Sequence, residues 1–140
     1  GERGRGGTVT GDAFPPGTTI GVGTDLVDVD RLRGALDRTP GLMRRVFTPA
    51  EQARCNRNAD PLPHLAARFA AKEAVMKALG RGMSAMAFTD IEVQSEPSGA
   101  PSVRLSGRAR QVADEAGVGS WLVSLTHDGA LAHAIVIARA

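Results

Sequence analysis

The chain has 140 residues, 42 % of them hydrophobic and 23 % charged, which is enough for one domain with its own core. A net charge of only +2, and an aromatic set of Trp121 and four Phe with no Tyr, argue against a strong polyphosphate binder and against base-stacking platforms for nucleic acid. The lone Cys55 excludes an internal disulfide, no Cys/His cluster has zinc spacing, and the apolar runs fall far short of the roughly 18 residues a membrane span needs, so the expectation is a cytoplasmic protein without a membrane partner.

Residues 1–19, GERGRGGTVTGDAFPPGTT, have five glycines by position 11, a Pro-Pro pair and no initiator Met. They read as a flexible leader, a linker from a longer polypeptide or a tag remnant, which puts the domain proper at 20–140. TIGVGTDLVDV then reads as a strand, with Gly21 and Gly23 permitting close backbone approach. A helical pattern runs from about Asp30, breaks at Pro40-Gly41 and resumes through Leu42, Val46 and Phe47. Thr48, Pro49 and Glu51 spell the start of another helix, with Glu51 completing a capping box. The longest helical stretch lies at about 62–79 and ends at Gly80 and Gly82. Further on, FTDIEVQSE and SVRLSG alternate as strands around the turn PSGAP, RARQVADEAG is a short helix, and two strands flank a turn at Asp128-Gly129. Early helices followed by antiparallel strands predict an α+β domain, its helices packed on a mostly antiparallel sheet.

The helix RFAAKEAVMKALG holds both lysines of the chain, Lys72 and Lys77, beside Glu73, whereas every other basic residue but histidine is one of fifteen arginines. Glu73 and Lys77 are four apart on one helix face, which an exposed ion pair would explain equally well. A compact ammonium on a phosphate oxygen, however, is not replaced by arginine as easily as one in an exposed pair. Asp25, at the end of the GVGTD strand, is a second acid, and the glycines before it offer backbone amides to a ligand. Two carboxylates suit Mg²⁺, which keeps waters and takes its other ligands from substrate phosphates. Asp28 and Asp30 read as solvated or capping residues. Ser124, His127 and Asp128 sit too close in sequence for a nucleophile-base-orienter geometry. His127 is therefore either a turn histidine bonded to backbone or a strand-end group facing a phosphate. His64, His133 and Cys55 read as structural.

IGVGTDLVDVDR, RFAAKEAVMKALGRG, FTDIEV, SGAP and VSLTHDGALAHAIVI, in this order and spacing, resemble the holo-acyl-carrier-protein synthases, the short single-domain class of 4′-phosphopantetheinyl transferases. The resemblance covers residues 20–138. It implies the phosphopantetheinyl transferase fold and a Mg²⁺-dependent transfer of 4′-phosphopantetheine from coenzyme A to a serine of apo-acyl carrier protein, releasing adenosine 3′,5′-bisphosphate. By position, it makes Asp25 and Glu73 the metal ligands and Glu73, Lys77 and His127 the catalytic set. Arg68, Lys72, Lys77, Gly80 and His127 fall near the coenzyme A phosphates, and Arg31, Arg44 and Arg45 on the surface meeting the acidic carrier. It further implies a homotrimer with active sites at subunit interfaces, so that His127 serves a neighbour's site. Some members of the family carry an acid just after the equivalent of Glu51, where this chain has Gln52; the proton acceptor is then a water or Glu73 itself. A metal-dependent phosphodiesterase and a non-catalytic carrier-docking module are the alternatives.

Overall fold

The computed structural model describes residues 14–82 and 85–140, so the reading of positions 1–13 as a leader lies outside the described residues. The strand at the start of the domain is β1 (Thr19–Asp28), followed by α1 (Val29–Arg38), α2 (Leu42–Val46), α3 (Pro49–Cys55) and α4 (Leu62–Ala78). A hairpin of β2 (Ile91–Ser95) and β3 (Pro101–Leu105), the helix α5 (Gly107–Glu115), and the strands β4 (Ser120–His127) and β5 (Leu131–Arg139) complete the order. Pairing begins before position 20, since the Gly17 amide donates to the Ala140 carbonyl and the Ala140 amide to the Thr18 carbonyl, both at 2.8 Å.

Local signals explain most of these elements. Asp28 caps α1 by accepting from the Arg31 amide at 3.0 Å. Thr48 and Glu51 close a reciprocal capping box on α3, as the S/T-x-x-E pattern predicts. Gly117, at φ +83°, follows α5 where the pattern places its end. FTD departs from the strand reading. Phe88–Asp90 form a short 3₁₀ turn, because the Asp90 carboxylate turns back to accept the Ala87 amide at 3.3 Å. Only Ile91–Ser95 remain extended.

All strand pairs are antiparallel, in two sheets: β1-β5-β4, with the last strand in the middle, and β2-β3. α4 lies across the three-stranded sheet. The contact is made of small residues, with Ala132, Ala134, Val136 and Ala138 buried on β5 and Ala70, Ala71 and Ala74 buried on α4. At Gly23 an added Cβ would overlap the Ala74 carbonyl oxygen, and at Gly21 the Ala78 carbonyl oxygen. These glycines therefore admit the backbone of α4 itself rather than a ligand, which corrects the role read for them. The opposite face of the sheet is apolar yet exposed, with Val22 at 60 %, Leu26 at 61 % and Leu122 at 47 % of full exposure. Among the described residues no helix is long and apolar enough to cross a membrane.

Candidate active site

Alternate residues of β1 face α4, and Asp25 is the one among them that carries a charge. It meets Lys77, whose Nζ lies 2.9 Å from Asp25 Oδ1 and also donates to the Thr24 carbonyl at 3.0 Å. Asp25 is largely covered, with 14 % of its side chain exposed, whereas Lys77 is 57 % exposed and free to turn toward a ligand. Glu73, one turn before Lys77, is within hydrogen-bonding reach of Asp25. Burial first, and then the Asp25 charge, push the Glu73 carboxyl up to about 7, with Lys77 opposing. Two hard oxygen donors that repel each other this strongly fit a divalent cation, which would relieve the repulsion. No cluster of three or more acid, histidine or cysteine side chains occurs among the described residues, so waters or phosphate oxygens would complete a Mg²⁺ shell here.

A second feature lies elsewhere on the chain. A pocket of about 280 Å³ is lined by Arg54, His64, Arg68, Gln94, Pro101 and His127 among others, and none of its lining residues is acidic. His127 stands edge-on to His64, with ring centroids 4.8 Å apart and planes at 74°. Burial, then the charges of His127, Arg68 and Arg54, hold the His64 imidazole below its ordinary range. Arg68 is buried; its Nη1 makes one long bond of 3.4 Å to the His64 carbonyl, and its Nε has no hydrogen-bond partner. An orphaned guanidinium donor among positive groups is the signature of a site for an anion, and a phosphate matches its planar fork. His127 lines this pocket beside Arg54 and Arg68. Arg54 and His64, the latter read as structural, also line the pocket; nothing local in the sequence marks either, and Arg54 reaches it through the packing of α3 beside α4.

The two features lie on opposite flanks of α4. At about 100° per residue, His64, Ala67 and Arg68 share one side, while Phe69, Glu73 and Lys77 share the other. On the Glu73 side a groove of about 710 Å³ runs between α1 and α4 out to Arg31 and Arg38. Arg44 and Arg45 are exposed nearby on α2. Gly80, at φ +68°, follows the C-terminal cap of α4. Lys72 requires a correction. Its side chain is fully buried and paired with Glu51 at 2.8 Å, and it also donates to the carbonyls of Phe88, at 3.0 Å, and Ile91. Three acceptors consume the three ammonium hydrogens, so none is left for a coenzyme A phosphate. Asp128 accepts the Ala130 and Leu131 amides at 3.1 and 2.9 Å and so builds the β4–β5 turn, while Ser124 faces the far side of the sheet. Cys55 is buried and its thiol is pushed up by burial, as an inert residue's should be.

Comparison with known proteins gives a consistent picture. The family model described as the 4′-phosphopantetheinyl transferase superfamily matches residues 21–136. The holo-acyl-carrier-protein synthase of Moorella thermoacetica is 50 % identical over 115 residues, covering 82 % of this chain and 90 % of that protein. That of Streptomyces avermitilis is 49 % identical over 120 residues, covering 86 % and 97 %. Among solved structures, the Helicobacter pylori holo-acyl-carrier-protein synthase in complex with coenzyme A superposes with a TM-score of 0.74 at 30 % identity, over 84 % of this chain and 98 % of that one.

Proposed function

The chain belongs to the 4′-phosphopantetheinyl transferase superfamily, and on that footing we propose that it moves 4′-phosphopantetheine from coenzyme A to a serine of an apo-acyl carrier protein. The observation that carries this reading is the meeting of Asp25, Glu73 and Lys77 on one flank of α4, with an acid-free anion pocket on the other. The Helicobacter pylori relative's complex with coenzyme A supports that substrate. Arg54, Arg68 and His127 would hold the adenosine 3′,5′-bisphosphate end, and Lys77 would stabilise the pyrophosphate as charge develops. Asp25 and Glu73 would hold Mg²⁺, which would supply the charge neutralisation that makes the bisphosphate a better leaving group. The serine oxygen forms its bond to the pantetheine-bearing phosphorus as the phosphoanhydride bond to adenosine 3′,5′-bisphosphate breaks. Glu73, directly or through a water, accepts the serine proton.

The anion pocket and the carboxylates lie on opposite flanks of α4, which supports a site shared between copies. The homotrimer fits this need, with the exposed apolar sheet face around Val22, Leu26 and Leu122 as the surface that closes it. Arg31, Arg44 and Arg45 present positive charge beside the Glu73 groove to an acidic carrier, and Gly80 keeps the chain open beside Lys77. The carboxylate pair, retained with its lysine, favours turnover over a docking module. Its place of action in this reading is the cytoplasm.

The deciding experiment is intact-mass spectrometry of an apo-acyl carrier protein incubated with this protein, coenzyme A and Mg²⁺. A gain of about 340 Da, lost when EDTA removes the metal, is the expected result. No gain on any of several fatty-acid, polyketide and peptide carriers would overturn the assignment.

A further inference from the structure

Lys72 is occupied entirely by the protein, which raises the question of what it does one residue before Glu73. Its ammonium ties together three separate segments: Glu51 on α3, the Phe88 carbonyl in the 3₁₀ turn, and the Ile91 carbonyl at the start of β2. Glu51 is saturated in turn. Its Oε1 accepts from Thr48 N at 2.9 Å as well as from Lys72, and its Oε2 accepts from Val93 N at 2.8 Å. Both side chains are fully buried.

The opposite flank of α4 is held differently. Lys72 and Ala74 are about 200° apart around the helix, so while Lys72 points at α3 and β2, Ala74 and Ala78 lie against Gly23 and Gly21 of β1. That glycine–alanine contact is close but non-directional, and the directional bonds on this side come from the half-exposed Lys77, to Asp25 and the Thr24 carbonyl. The Lys72 bonds are directional. We propose that Lys72 and Glu51 are positioning residues, whose buried ion pair sets the rotation of α4 and so the placement of Glu73 against Asp25. This rests on the reading of Asp25 and Glu73 as the divalent-cation site. The lever is adequate, because a 10° rotation at the side-chain radius of a helix moves a carboxylate by roughly 1 Å. Metal–ligand distances tolerate only about 0.2 Å.

The proposal also explains why this position is a lysine in a chain that has fifteen arginines and two lysines. Three acceptors converging on one atom match a tetrahedral ammonium. A planar guanidinium spreads its donors over three nitrogens and cannot meet them.

The test separates positioning from simple stability. Replacing both partners by apolar residues, Lys72→Met with Glu51→Leu, removes the directional bonds while leaving the interior filled and no buried charge unpaired. Mn²⁺ binding, followed by electron paramagnetic resonance, is the readout, beside thermal unfolding. The expected result is a lowered melting temperature, because the Thr48 and Val93 amides and the Phe88 and Ile91 carbonyls lose their partners, and, well below that temperature, Mn²⁺ affinity lowered about tenfold or more. Half-saturating Mg²⁺ in turnover rises while KM for coenzyme A stays within about twofold, a split that loss of stability alone would not produce. Wild-type Mn²⁺ affinity in the double variant, assayed where it is folded, would overturn the proposal. If that variant fails to fold, Glu51→Gln, assayed well below its own melting temperature, carries the same two outcomes. If Glu73→Gln leaves Mn²⁺ binding of the otherwise unaltered protein unchanged, the carboxylate pair is not the cation site, and the reading beneath the proposal fails with it.

Discussion

At the scale of single residues, the two lysines that look alike in sequence do unlike work. Lys77 is exposed and bonded to Asp25, while Lys72 is sealed inside the protein against Glu51. Arginine should therefore be tolerated in the fold at position 77 but not at 72. Lys72→Arg is expected to lower stability by about 3 kcal/mol, as breaking a buried pair does, and Lys77→Arg by less than about 1 kcal/mol while slowing turnover. Denaturant unfolding and single-turnover kinetics on both variants check this contrast; equal losses of stability would refute it. His64 gives a prediction in pH. Because its folded-state pKa lies below the ordinary 6.5, the unfolded chain holds the proton between the two values and the folded chain does not. Stability therefore falls as pH drops through that window, and is fully present above it. An anion in the pocket favours the same proton. Binding of adenosine 3′,5′-bisphosphate should then tighten more steeply with falling pH in the wild type than in His64→Gln, by up to about tenfold per pH unit. Calorimetric titration of both proteins at several pH values measures the difference, and identical slopes would remove His64 from the site.

At the scale of elements, the sequence carries most of the fold because its signals are local: a capping box at Thr48 and Glu51, a cap at Asp28, a glycine after α5, alternation in β4 and β5. The meeting of Asp25 with Glu73 and Lys77 was expected for a different reason, since they fall in motifs that resemble a family's. What was not legible is long-range. Lys72 meets Glu51 across 21 positions, and His64 meets His127 across 63, and no periodicity encodes either encounter. The same limit explains the misread glycines. GVG announces a close approach of backbone, but not to what, and the answer is the α4 backbone. Gly23→Ala places a methyl group on the Ala74 carbonyl and must push α4 off β1. A loss of about 3 kcal/mol or more is expected, since backbone cannot yield as a flexible side chain does. Because the displaced helix carries Glu73 away from Asp25, Mn²⁺ affinity should fall together with the melting temperature. A normal melting temperature in Gly23→Ala would show that the helix does not sit this close.

At the scale of the whole molecule, the decisive feature is that α4 separates the carboxylates from the anion pocket. If each working site pairs the Glu73 flank of one copy with the His127 flank of the next, two damaged chains can repair each other. Glu73→Gln destroys one half, and the combined Arg54→Ala and His127→Ala changes destroy the other. Neither variant alone should modify an acyl carrier protein at low coenzyme A. When equal amounts are unfolded together and refolded, each shared site draws its two halves independently, so about one site in four receives both intact. Recovered activity of about a quarter of the wild type is therefore expected, and the active fraction should sediment as an oligomer. Sites built within one chain would give no recovery, because every chain in the mixture is broken. Introducing Leu26→Asp into both variants adds a control, because it sets a charge on the most exposed apolar position of the sheet face. Recovery that vanishes with this change, while each chain keeps its fold, would locate the contact between copies on that face. Recovery that survives it would mean the copies join through another surface.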